Sequence, residues 1–134
     1  MLTEITGARQ FAGEPVRRWF TDDRHDLWVW LDAAGRPRGF QFCYGKGGIE
    51  RALSWRPDTG FAHHRIEAGP ADPTSLGAAQ FMVRETWDVV ELAGRFRRVA
   101  GTVPPDIAVF VEERLRMAGP GPRRRRVSAG RRRR

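Results

Sequence analysis

Cysteine is nearly absent from this chain of 134 residues: Cys43 stands alone. A single thiol closes no internal disulfide, and no Cys/His spacing of the metal-binding kind surrounds it, so neither a disulfide scaffold nor a zinc module is expected. Long apolar runs are missing too. No stretch approaches the roughly 18 residues that a membrane helix needs. The first fifteen residues have neither a basic start nor an apolar stretch behind it, so no secretory signal is expected. These gaps together point to a reducing, cytoplasmic setting with no membrane contact. Lysine is equally scarce, with Lys46 the one lysine among 24 Lys and Arg. Arginine in that proportion, beside many Ala, Gly and Pro, is the mark of GC-rich coding and need not reflect a partner.

The net charge of +8 lies wholly in two blocks of four arginines, Arg123, Arg124, Arg125 and Arg126, then Arg131, Arg132, Arg133 and Arg134. Outside them, 16 Lys and Arg face 16 Asp and Glu, so the body is neutral. A basic tail on a neutral body implies contact with anions through the tail and not through the domain.

Three regions follow: a loosely ordered N-terminal segment over residues 1–15, one α+β domain over 16–118, and an Arg-rich tail over 119–134. The tail has almost nothing to bury and is expected to be disordered. Within the domain, apolar residues alternate with period two through Val16–Phe20, Asp26–Asp32, Arg38–Tyr44, Ile49–Trp55 and Phe61–Glu67. The connections Ala34-Gly35, Gly45-Lys46-Gly47-Gly48 and Pro57-Asp58-Thr59-Gly60 have turn chemistry. Gln80–Arg84 is ambiguous between a sixth strand and part of a helix. Helical spacing then takes over. Val89, Leu92, Ala93, Phe96, Val99 and Ala100 share one face, with Thr86 as N-cap, and Pro104-Pro105 opens a second helix carrying Ile107, Phe110, Val111 and Leu115. The predicted fold is an antiparallel β-meander of five or six strands with two C-terminal helices on one face.

Closing each hairpin symmetrically about its turn assigns partners. Trp28 faces Gln41 and Trp30 faces Gly39; Gln41 faces Ala52 and Gly39 faces Ser54; Ala52 faces Arg65 and Ser54 faces His63. Side-chain alternation then sorts two faces. Leu27, Val29, Leu31, Phe40, Phe42, Tyr44, Ile49, Leu53, Trp55, Ala62 and Ile66 form the core face, with Arg38, Arg51 and His64 among them. The other face carries a trough of small residues. Trp28 and Trp30 form one wall, His63 and Arg65 the other, and Gln41 and Ser54 lie between them. Trp19 falls on either face, depending on the first turn.

Two tryptophans on a polar face call for a cover. The N-terminal segment, a second copy, a ligand or a partner would each serve. The sequence reading favours a non-catalytic binding or assembly module that uses Trp28, Trp30, Gln41, Ser54, His63 and Arg65, with a protein partner or a homodimer. The alternative is non-specific nucleic-acid binding, with the tail arginines on phosphates and the tryptophans stacking on bases. A third reading makes His63 a general base beside Ser54, although no third group is specified to orient it. No cofactor and no metal are expected: His63 and His64, adjacent on a strand, point to opposite faces. Gly45-Lys46-Gly47-Gly48 lacks the spacing and the helix of a phosphate loop and reads as a hairpin turn. Cys43, near Asp26 and Glu50, reads as a structural thiol.

The runs RRWFTDDRHDLWVWLD, GFQFCYGKGGIERALSW and GFAHHRIEAG resemble a family of small bacterial proteins of unknown function. The likeness spans Arg17 to Gly69 and, less closely, VPPDIAVFVEERL (Val103–Leu115). It implies a short single-domain bacterial protein and brings no catalytic residues with it. The Arg-rich tail departs from that pattern.

Overall fold

The computed structural model describes residues 1–68 and 80–118. Seven strands form one antiparallel sheet in strict sequence order: β1 (Thr3–Ile5), β2 (Arg17–Thr21), β3 (His25–Leu31), β4 (Pro37–Tyr44), β5 (Glu50–Arg56), β6 (Gly60–Ala68) and β7 (Gln80–Arg84). Helices α1 (Val89–Val99) and α2 (Pro105–Met117) follow. The α+β meander is therefore as expected, with seven strands and not five or six. Gln80–Arg84 is a strand. The tail lies outside the described residues.

The extra strand comes from the N-terminal segment, where loose order was expected. Leu2 is fully buried in the core. Its N–H donates to the Val99 carbonyl at 2.8 Å, and Thr102 Oγ1 donates to its carbonyl at 2.5 Å. The buried Leu2 side chain anchors that edge together with these bonds and a two-pronged ion pair from Arg18 of β2 to Glu4 of β1 at 2.7 and 2.8 Å.

Both helices cover the same face. Phe96 of α1 meets Phe42 edge-on at 5.5 Å, and Phe110 of α2 meets Phe40 and Trp55 at 6.4 and 5.9 Å. Phe20, Leu27, Val29, Phe40, Phe42 and Leu53 from the sheet, with Leu92, Phe96, Ile107, Val111 and Leu115 from the helices, make the buried core. Helix α1 starts later than expected. Asp88, not Thr86, is its N-cap, accepting from the Glu91 N–H at 3.1 Å. Trp87 is buried against Phe61, which holds the chain in the core until that point.

The registers hold in the first hairpin and shift in the next two. Trp28–Gln41 and Trp30–Gly39 pair as expected. Between β4 and β5 the partners are Gln41–Ser54 and Cys43–Ala52, two residues from the symmetric closure. An even shift keeps every side chain on its face. Ile49, assigned to the core, instead belongs to the turn and is exposed.

Between β5 and β6 the difference is one residue: Ala52 pairs with His64, Leu53 with His63 and Arg56 with Gly60. The loop is Pro57-Asp58-Thr59, and Gly60, at φ +74°, already belongs to the strand. Gly60 takes the left-handed position where the chain leaves the three-residue loop, a conformation that favours glycine. A one-residue change inverts a whole strand. His63 and Arg65 therefore stand on the helix-covered face, and Ala62, His64 and Ile66 on the open one.

Candidate functional site

Of the six residues expected to line one trough, four share the open face of the sheet: Trp28, Trp30, Gln41 and Ser54. His63 and Arg65 do not, because β6 is inverted. The proposed Ser54–His63 pair is thereby undone, since the two side chains leave opposite faces of the sheet.

The open face gains residues in exchange. Trp19 pairs with Trp28 across β2 and β3, and their rings stack in parallel with centroids 5.1 Å apart. Trp19 Nε1 donates to Asp26 Oδ1 at 2.9 Å, and Lys46 Nζ lies 3.2 Å from the other carboxylate oxygen. The Arg17 guanidinium sits 4.5 Å from the Trp28 ring and 4.4 Å from that of Phe11. Phe11 belongs to the N-terminal segment, which is tied to β2 by reciprocal hydrogen bonds between the Gln10 amide and the Arg17 backbone. So the N-terminal segment supplies part of the cover that the tryptophans required.

Trp30 is covered differently. Arg56 reaches it from β5, two strands away, with its guanidinium 4.3 Å from the ring. It can cross because Gly39 lies between them; a Cβ there would meet the Trp55 carbonyl at 3.0 Å and the Arg56 stem at 3.8 Å. Around this crossing opens a pocket of about 220 Å³ lined by Trp30, Arg38, Gly39, Arg56, Asp58 and two prolines. Arg38 enters it at the β-bulge, where the β3–β4 register slips between Trp30 and Leu31.

Cys43, also on this face, is buried, and burial pushes its thiol up to about 11, with the Asp26 and Glu50 carboxylates adding to the rise and Gln41 opposing it. It is a structural thiol. Lys46 is equally local: its ammonium donates to Thr21 Oγ1 and the Asp22 carbonyl, binding two hairpin turns together.

On the helix-covered face, the inverted strand creates a polar cluster that the sequence reading missed. Tyr44 Oη and His63 Nε2 are 2.6 Å apart, and His63 Nδ1 is 3.1 Å from the Glu85 carbonyl. A carbonyl only accepts, so Nδ1 carries the proton and Nε2 accepts from the phenol. Burial lowers the His63 pKa and pushes Tyr44 up to about 12, so both are neutral. The imidazole lone pair is already engaged, which leaves no free base. Glu85 bridges Arg51 (2.7 Å) and Arg65 (2.5 Å), and the Arg51 hydrogen bond draws its carboxyl below the usual range. An open cleft of about 530 Å³ runs beside this cluster toward Glu91 and Arg95.

Among the described residues, no three His, Cys, Asp or Glu side chains are grouped to hold a metal ion. No described helix is long and apolar enough to cross a membrane. Comparison with protein-family models, curated proteins and solved structures finds no match.

Proposed function

We propose that this chain, related to the small bacterial proteins its strand runs resemble, is a non-catalytic binding or assembly module whose working surface is the helix-free face of the sheet. The observation that carries the reading is the gathering of Trp19, Trp28 and Trp30, each only half-buried, on the face that neither helix covers. Half-exposed aromatic side chains in a cluster are a common mark of contact surfaces. The polar cluster of Tyr44 and His63 is a self-satisfied network, which a core needs to hold a buried histidine.

The test compares the full chain with a Trp28→Ala/Trp30→Ala double variant in sedimentation velocity and in native capture from a bacterial extract. Both proteins should give the same circular dichroism spectrum. The parent should self-associate or retain a specific component that the variant loses. If the oligomeric state and the retained material are the same for both proteins, the reading fails.

A further inference from the structure

If the open face is the working surface, as just proposed, its relief specifies the partner. Across the strands, one ladder row carries Ile5, Trp19, Trp28, Gln41, Ser54 and Ala62, all on that face. From Trp19 onward side-chain size falls steadily, so a ridge over β2 and β3 stands beside a hollow over β5 and β6. Phe11, 42% exposed, extends the ridge beyond Arg17. The tryptophan ring faces are already covered, Trp28 by Trp19 and Arg17, and Trp30 by Arg56. What the ridge offers a partner is therefore ring edges, which fill a hollow and do not stack on a ligand.

A ridge beside a hollow on one face is self-complementary. A two-fold axis along β4 lays β3 of one copy over β5 of its mate, and β2 over β6, because such a contact pairs residues reciprocally. Trp28 then stands over Ser54, and Trp19 over Ala62. The charges agree with this placement. By the same registers Arg24, one residue before β3, is level with Glu50 of β5. Arg17 of β2 is level with Gly60 of β6, beside the loop that carries Asp58. The axis sets Arg24 against Glu50 and Arg17 against Asp58, twice each. Among the described residues, none of these four forms an ion pair within the chain. Each Arg56 guanidinium is drawn over its own Trp30 on β3, which leaves the two copies' guanidiniums two strand spacings, about 10 Å, apart. Arg38 is exposed at the rim, where its charge is screened. Seven strands at about 4.8 Å spacing and about 20 Å length present on the order of 700 Å² in plan, close to the about 800 Å² that each partner of a standard interface buries.

We infer that a second copy of this chain occupies the open face, the tryptophan ridge of each protomer seated in the hollow of Ser54 and Ala62 on the other. The two sheets then stack as a sandwich with the helices outermost.

The experiment is sedimentation velocity on the full chain across the micromolar range at physiological salt, where the charged tails are screened. The parent should pass from monomer to dimer within that range. Ser54→Trp fills the hollow and should weaken the dimer at least about a hundredfold, with an unchanged circular dichroism spectrum. Arg24→Glu, at an exposed turn position, should weaken it about tenfold by setting like charges opposite each other at both ends of the interface. Arg24→Glu/Glu50→Arg should restore the parent's affinity, which a merely unstable variant would not do. A parent that stays monomeric, a dimer indifferent to Ser54→Trp, or a charge exchange that fails to rescue would each overturn the inference. Should the parent be monomeric yet capture a component that Trp28→Ala/Trp30→Ala loses, the second-copy inference fails and the binding-module reading stands. With neither self-association nor capture, both fail.

Discussion

Lowering the pH from 7.5 to 5.5 should act on one buried group in particular. His63 is 4% exposed, with both ring nitrogens committed in the neutral form, Nδ1 to the Glu85 carbonyl and Nε2 to the Tyr44 phenol. Burial disfavours the imidazolium and outweighs the opposing pull of the Glu85 carboxylate, so the folded-state pKa lies below the ordinary value. The unfolded chain takes up its proton as the pH falls through about 6.5. The folded chain does not, so the unfolded state binds more protons and stability declines as the pH falls. The contribution is complete above about 6.5 and is lost below it, until the folded pKa is reached and the loss levels off. From pH 7.5 to 5.5 the loss attributable to His63 amounts to at most about 1.4 kcal/mol. Urea denaturation of the parent and of His63→Gln at both pH values measures it. Glutamine gains no proton in this range, while His25 and His64 remain in both proteins and cancel. The parent should lose more stability than the variant over this interval. Parallel pH dependence in the two proteins would refute the assignment of a neutral, buried His63.

Three further outcomes follow from the packing and the thiol. Phe96→Ala removes a fully buried ring that meets Phe42 at 5.5 Å, and should cost about 3–5 kcal/mol in chemical denaturation; a loss under about 1 kcal/mol would contradict the core described. Asp88→Ala leaves the Glu91 N–H without its acceptor and should cost about 1 kcal/mol, seen as a lower thermal midpoint; Thr86→Ala should leave that midpoint in place. Cys43, buried with a thiol pKa near 11, should react with a thiol-exchange reagent at pH 7.5 far more slowly than in the urea-unfolded chain; equal rates would mean the face opens readily.

The architecture was legible because strand periodicity, turn residues and helical spacing each pointed the same way. What escaped was the register of the β4–β5 and β5–β6 hairpins. Symmetric closure takes Pro57-Asp58-Thr59-Gly60 as a four-residue turn, whereas Gly60, left-handed, is the first residue of β6 and pairs with Arg56. The signal was present in the order Pro, Asp, Gly. That single residue decided whether His63 belonged with Ser54 or with Tyr44. The turn before it moved by two residues and harmed nothing, since parity preserves faces. Arg56 over Trp30 was out of reach of periodicity, because the contact spans three strands and depends on Gly39 having no side chain. Leu2 was hidden for another reason: a three-residue edge strand leaves too short a pattern to read.

Every strand pairing in this sheet joins neighbours along the chain, from β1–β2 through β6–β7. The ladder can therefore zip hairpin by hairpin, with three to five residues between strands from β2 to β6 and eleven at either end. The slow events are those that close large loops: docking Phe96 onto Phe42, and fastening Leu2 to Val99 across most of the chain. The N-terminal clasp needs both the finished sheet edge and the end of α1 in place, so it is expected to form after them. A residue that joins after the barrier governs how long the native state lasts, not how fast it is reached. Trimming Leu2 should accordingly hasten unfolding and leave the folding rate nearly untouched, which makes this edge the latch on the protein's lifetime.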